Sequence, residues 1–188
     1  MIRNVKKEIR IIGWDDEALG RKKYISVVGA ITRGGGRLDG LLKTKIERDG
    51  LDATKKISDS IINSRQYDQL RIIMLDGITF GGFNIVDIKK LNKLTKLPVI
   101  VIQRKMPNIK MFLKAIKNLN DYKERIKAVK NAGNFHTGEN LIFQCVGIGV
   151  KTSKKIIKIS SPNSIVPEPL RLAHIIASGL SGESKGGV

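Results

Sequence analysis

Acidic residues are scarce in this chain. Seventeen Asp and Glu stand against 35 Lys and Arg, a net charge of +18 over 188 residues. Heat-adapted proteins that accumulate lysine accumulate glutamate with it, to build ion-pair networks. The acids for such networks are missing, so the imbalance points to solubility or to a polyanionic partner, with nucleic acid (DNA or RNA) foremost. Cysteine is rarer still. Cys145 alone excludes an internal disulfide and suits a cytoplasmic protein, and its apolar run, 141–146, makes it a small buried core residue. His136 and His174 have no Cys or His partner at ligand spacing. Each reads as a hydrogen-bonded structural histidine in preference to an acid–base group. No apolar run approaches the roughly 18 residues of a membrane helix. The opening MIRNVKKEIR is charged where a signal peptide is apolar, so no membrane association is expected. Aromatics make up 5%, and Trp14, the only tryptophan, either stacks on a base or covers the end of the core.

What is present is an ordinary 41% hydrophobic share, enough for one α/β domain spanning 1–188, with a Gly/Ser-rich tail over 181–188 expected to be mobile. The chain is organised around residues 71–104. An apolar run, 72–75, stops at Asp76-Gly77. A segment with Phe83, Val86, Leu91 and Leu94 at helical spacing follows, and a second apolar run, 99–102, ends in Gln103-Arg104-Lys105. Apolar runs bounded by turn residues, with a helix between them, predict a βαβ unit of buried parallel strands.

Upstream, strands are predicted over 8–13, 24–32 and 38–46, the last two joined at Arg33-Gly34-Gly35-Gly36-Arg37. Asp52 is placed to cap a helix carrying Ile57, Ile61 and Ile62. Downstream, helical spacing runs unbroken from 108 to 130. A strand over 141–146, a helix over 151–159 and a last helix over 168–180, with Pro169 in its first turn, complete the chain. Three consecutive strands followed by a parallel extension predict a mixed β-sheet, an antiparallel three-strand meander plus parallel strands, flanked by helices on both faces. That is the strand order of a ribonuclease-H-like architecture.

Carboxylates fall where such a sheet gathers chemistry, beyond the carboxyl ends of its strands. Asp15 and Asp16 follow the first strand, Glu47, Asp49 and Asp52 follow the third, and Asp76 ends the fourth. Strands one, three and four running alike would bring three acids to one rim. Clustered carboxylates repel unless cations cancel them. Two Mg²⁺ or Mn²⁺ ions about 4 Å apart would do so and would drive displacement at a phosphodiester. Asp after a strand is also an ordinary turn residue, and capping is a sufficient role for Asp52. Asp76 carries the stronger signal, because an acid at the mouth of a doubly buried strand is unfavourable without a partner.

These residues resemble a known family. Leu75-Asp76-Gly77-Ile78 with Gly82, then Leu97-Pro98-Val99-Ile100, resembles the central block of endonuclease V. Val166-Pro167-Glu168-Pro169 and the following Leu170-Arg171 resemble its late P-E-P-T-R segment. Closer is an archaeal family of uncharacterised proteins related to endonuclease V, whose characteristic strings match residues 49–54, 75–87, 167–174 and 182–184. The resemblance implies a ribonuclease-H-like fold and a divalent-metal-dependent endonuclease acting on DNA or RNA. Asp15, Asp76 and Asp49 (less well Asp52 or Glu47) are then the metal and catalytic acids. Arg104 stands where endonuclease V has a lysine near the scissile phosphate, and Arg33, Arg37, Arg104 and Lys105 are the expected nucleic-acid contacts. The P-Y-I-P-G wedge of endonuclease V is absent at 37–41, and Gly149-Val150-Lys151 stands near the place of its G-H-R histidine. The alternative function is therefore a nucleic-acid-binding protein that keeps the fold without the activity. A third is a scaffold whose basic surface meets an acidic protein.

Overall fold

Asp15 and Asp76 are brought side by side by a parallel strand pair at the centre of a seven-stranded sheet. The computed structural model describes residues 5–183. Its elements are β1 (Arg10–Asp16), β2 (Tyr24–Arg33), β3 (Arg37–Glu47), α1 (Ala53–Ile62), β4 (Ile72–Asp76), β5 (Thr79–Phe80), β6 (Asn84–Ile85), α2 (Ile88–Thr95), β7 (Val99–Gln103), α3 (Ile109–Ile116), α4 (Tyr122–Asn131), β8 (His136–Thr137), β9 (Ile142–Val146), α5 (Val150–Ser160) and α6 (Glu168–Gly179). The sheet order is β3-β2-β1-β4-β7-β9-β8. The β1–β4 and β4–β7 pairs are parallel and the others antiparallel, so the expected mixed sheet is present.

Strand alternation divides the core in two. Ile12, Trp14, Ile73, Leu75, Val99 and Val101 pack on one face with Ile57 and Ile61 of α1 and Ile88 and Leu91 of α2. Ile11, Ile72, Met74, Ile100 and Ile102 pack on the other with Ile156 and Ile157 of α5 and Leu170 of α6. The central strands are apolar throughout because both faces are covered. Gly13 is what lets α6 settle onto β1. A Cβ there would lie 2.5 Å from the Pro169 carbonyl carbon.

Several expectations are corrected. The first strand does not stop at Gly13 but runs through Trp14 to Asp16, paired with β2 as far as Val27. Trp14 is fully buried against Gly29, so it covers core and offers no surface for a base. The amphipathic pattern after Asp76 becomes a helix only at Ile88, because the β5–β6 hairpin comes first. The unbroken helix over 108–130 is two helices, the second restarting where Asp121 binds the Arg125 guanidinium. Asp52 occupies the N-cap position of α1 without capping it. Its carboxylate accepts from Glu47 N and Asn84 Nδ2, while Asn84 Oδ1 accepts the Ala53 N–H. Strand β8 had no counterpart in the sequence pattern. Of the expected mobile tail, residues 184–188 lie outside the described residues. No helix among the described residues is long and apolar enough to cross a membrane.

Candidate metal and nucleic-acid site

Trp14 pairs with Leu75 in the parallel register of β1 and β4, so the next residues, Asp15 and Asp76, leave the sheet together. Alternation turns both toward the face covered by α6. There His174, two turns into that helix, places Nδ1 2.7 Å from Asp15 Oδ2. Ligand atoms of Asp15, Asp76 and His174 all lie within 4.8 Å of one another, the spacing of a metal site. The other oxygen of Asp15 accepts the Asp16 N–H at 2.9 Å. Arg104 Nη2, beyond the end of β7, is 3.7 Å from Asp76 Oδ2 and half exposed.

The acids are held under electrostatic tension. Burial first, then the Asp76 and Asp16 carboxylates, push Asp15 up to about 7, against the opposing bonds from Asp16 N and His174. Burial also raises Asp76, countered by Arg104 and His174. Asp16 is raised by burial and relieved by the Gly81 N–H, which donates to its Oδ2 at 2.7 Å. Two near-parallel carboxylates and an imidazole, with too little positive charge to balance them, fit a divalent cation that accepts oxygen and nitrogen ligands.

The third acid expected here, Asp49, is not brought to this group. Strand β3 lies at the edge of the sheet, with β2 between it and β1, which alone separates their rims by roughly 10 Å. Asp49 Oδ1 accepts the Phe83 N–H at 2.8 Å, its Oδ2 lies 3.6 Å from Arg48 Nε, and its own N–H donates to Gly81 O. The Gly81 peptide thus stands between Asp16 and Asp49. Glu47 lies 3.6 Å from Lys23 Nζ, and Asp52 is occupied as described above. Buried Arg125 fastens this neighbouring loop from behind, donating to the carbonyls of Asp49, Gly50 and Phe83 and to the Asp121 carboxylate.

The expected nucleic-acid contacts divide. Arg104 and Lys105 lie at the acid rim. Arg33 and Arg37 do not: Arg33 pairs with Arg10 at the start of β1, roughly 17 Å from the Asp15 end, and its Nε donates to Asp39 at 2.6 Å. The residue that sequence reading underrated is His174. Its only signal was its place in the 167–174 string, since an isolated histidine on an amphipathic helix has no spacing that marks it.

The chain matches a family model described as Endonuclease dU over residues 7–181. It is 50% identical over 190 residues to a UPF0215 protein of Methanosarcina mazei, covering 97% of this chain and 96% of that one. A crystal structure of a protein of unknown function from Archaeoglobus fulgidus superposes with a TM-score of 0.87 at 38% identity, covering 91% of this chain and 97% of that one. Endonuclease V of Ciona intestinalis, in complex with a 24mer DNA containing an inosine followed by a ribo-adenosine, is similar in fold alone. Its TM-score is 0.58 at 14% identity, covering 87% of this chain and 82% of that one. The ribonuclease-H-like sheet expected from strand order is therefore the fold. By sequence and structure together, the chain belongs to the Endonuclease dU family.

Proposed function

We propose that this protein is a divalent-metal-dependent endonuclease that hydrolyses phosphodiesters in nucleic acid, with DNA carrying deoxyuridine as the substrate that the family's description suggests. The observation that carries the reading is the convergence of Asp15, Asp76 and His174, within 4.8 Å of one another, on one rim of a strongly basic protein.

Asp15, Asp76 and His174 would hold the ion, Mg²⁺ or Mn²⁺, which when bound supplies a polarised phosphate and an activated water. The remaining work falls to the chain itself. His174 Nδ1, bound to Asp15, leaves Nε2 with a lone pair for a cation or for a water proton. Arg104 already stands beside a carboxylate oxygen of Asp76 and would hold a phosphate oxygen in the same way, with Lys105 adding backbone charge. In the reaction, the water oxygen bonds to phosphorus, one phosphorus–oxygen ester bond breaks, and the leaving oxygen takes a proton.

The test is incubation of labelled single and double strands, with and without one deoxyuridine, in Mg²⁺ or Mn²⁺. Wild type should cut and Asp76→Asn should not. Equal cutting by both proteins, or none by either, rejects the reading. Salt-sensitive binding without cutting would leave the non-catalytic alternative.

A further inference from the structure

On the face opposite α6, a cavity of about 510 Å³ opens between the ends of β4 and β7 and helices α3 and α4. Asp76 and Arg104 stand at its edge, and Ile78, Phe112 and Val129 give it apolar walls. Two amides also line it, Gln103 from β7 and Gln144 from β9. Gln144 pairs with Val101 and Gln103 with Ile142, so the two glutamines are diagonal neighbours on one face, within side-chain reach of each other. Gln144 is 3% exposed, and its Nε2 is fixed by donating to Gly133 O at 2.9 Å. Both Oε1 atoms are buried, and neither accepts a hydrogen bond among the described residues. Buried acceptors without donors are rare in folded proteins because each is strongly disfavoured. Two facing one cavity call for a ligand that brings the donors.

We propose that this cavity receives a nucleobase turned out of the strand, and that Gln103 and Gln144 select a base whose Watson–Crick ring nitrogen carries a hydrogen. The proposal rests on the nucleic-acid-cutting reading above and deepens it by assigning the residues that choose the base. A base seated between apolar walls while its edge meets polar groups is the general solution for enzymes acting on a single nucleotide. The edge chemistry is decisive. Cytosine N3 and adenine N1 are lone pairs and would face an amide oxygen acceptor to acceptor. Deamination converts each into an N–H, giving uracil N3–H and hypoxanthine N1–H, which an amide oxygen holds. An intact base is thereby repelled at the very atom where its deaminated counterpart is bound.

The experiment is fluorescence anisotropy, in EDTA so that no cutting intervenes, on a labelled single strand of adenine and cytosine with one cytosine replaced by uracil. Wild type should prefer the uracil strand by about tenfold, the discrimination one good base-edge contact gives. Gln103→Met should lose that preference while binding the all-cytosine strand as before. Gln103 makes no hydrogen bond of its own, so this variant leaves the fold intact. Gln144→Met is the second variant, with its folding checked by urea denaturation. Equal binding of both strands by wild type overturns the proposal without recourse to any variant. A preference that survives in both variants overturns the assignment to these glutamines. Cutting that is abolished by Asp76→Asn but indifferent to either glutamine sinks the base pocket and spares the nuclease. A glutamine-dependent uracil preference without cutting supports the pocket and sinks the nuclease.

Discussion

Replacing Asp15 by Asn should make the metal-free protein more stable, and increasingly so as pH rises. In the unfolded chain this carboxyl ionises near 3.8, and in the folded protein near 7. Below 3.8 both states hold the proton and the shift has no effect on stability. Between the two values the unfolded chain has released its proton and the folded protein has not, so stability falls by about 1.4 kcal/mol per pH unit. Above about 7 the loss is complete. From pH 5 to pH 8 roughly two units of that window are crossed. Asp76 and Asp16 share the repulsion, so the advantage of the variant should widen by about 2–3 kcal/mol. Asn preserves an acceptor for the Asp16 N–H and offers an amide hydrogen to His174, so little packing changes. Urea denaturation of both proteins in EDTA at pH 5 and pH 8 measures the difference. An advantage that stays constant between the two, or reverses in sign, refutes the account of a carboxylate buried against its neighbours.

Other outcomes follow from the same geometry. Mn²⁺ at about a hundred times its Kd should stabilise wild type by about 2.7 kcal/mol, roughly 5–10 °C in Tm by calorimetry, and leave Asp76→Asn unmoved. The Mn²⁺ effect should also strengthen as pH rises through 7, because protons compete with the cation for Asp15. Gly13→Ala should cost about 1–3 kcal/mol by forcing α6 off β1, and should weaken Mn²⁺ binding, read by titration calorimetry, because His174 moves with that helix. Arg125→Ala strips donors from three carbonyls and should lower the unfolding free energy by about 3 kcal/mol in urea. Amide exchange in that protein should speed up first at Phe83, whose N–H is held by the Asp49 side chain.

The central parallel unit was legible because burial on both faces leaves a plain record, apolar runs that end abruptly at Asp76 and at Gln103. Asp76 could be singled out for the same reason, since an acid closing such a run stands out against it. Asp15 was found although its strand was ended two residues too early. Trp14 and Asp15 look like turn residues until β2 and α6 are in place to cover them. What escaped was long-range. Whether a carboxylate after β3 reaches the rim depends on its strand's position in the sheet, and Asp49 was diverted by the Phe83 N–H and by Arg48. The β5–β6 hairpin was masked because its glycines lie within a helical hydrophobic period, and the Gly81 bond to Asp16 that anchors it joins residues 65 positions apart. His174 escaped for the same reason, since its partner lies on the first strand.

That partnership has a consequence for synthesis. The imidazole and the carboxylate it touches are separated by 159 positions, so one emerges from the ribosome long before the other. While translation proceeds in that order, the paired aspartates can assemble on their strands with no histidine above them. A growing polypeptide, surrounded by messenger RNA and basic enough to bind it, therefore holds an incomplete centre until α6 docks over Gly13. Completion of the chain acts as the safety catch.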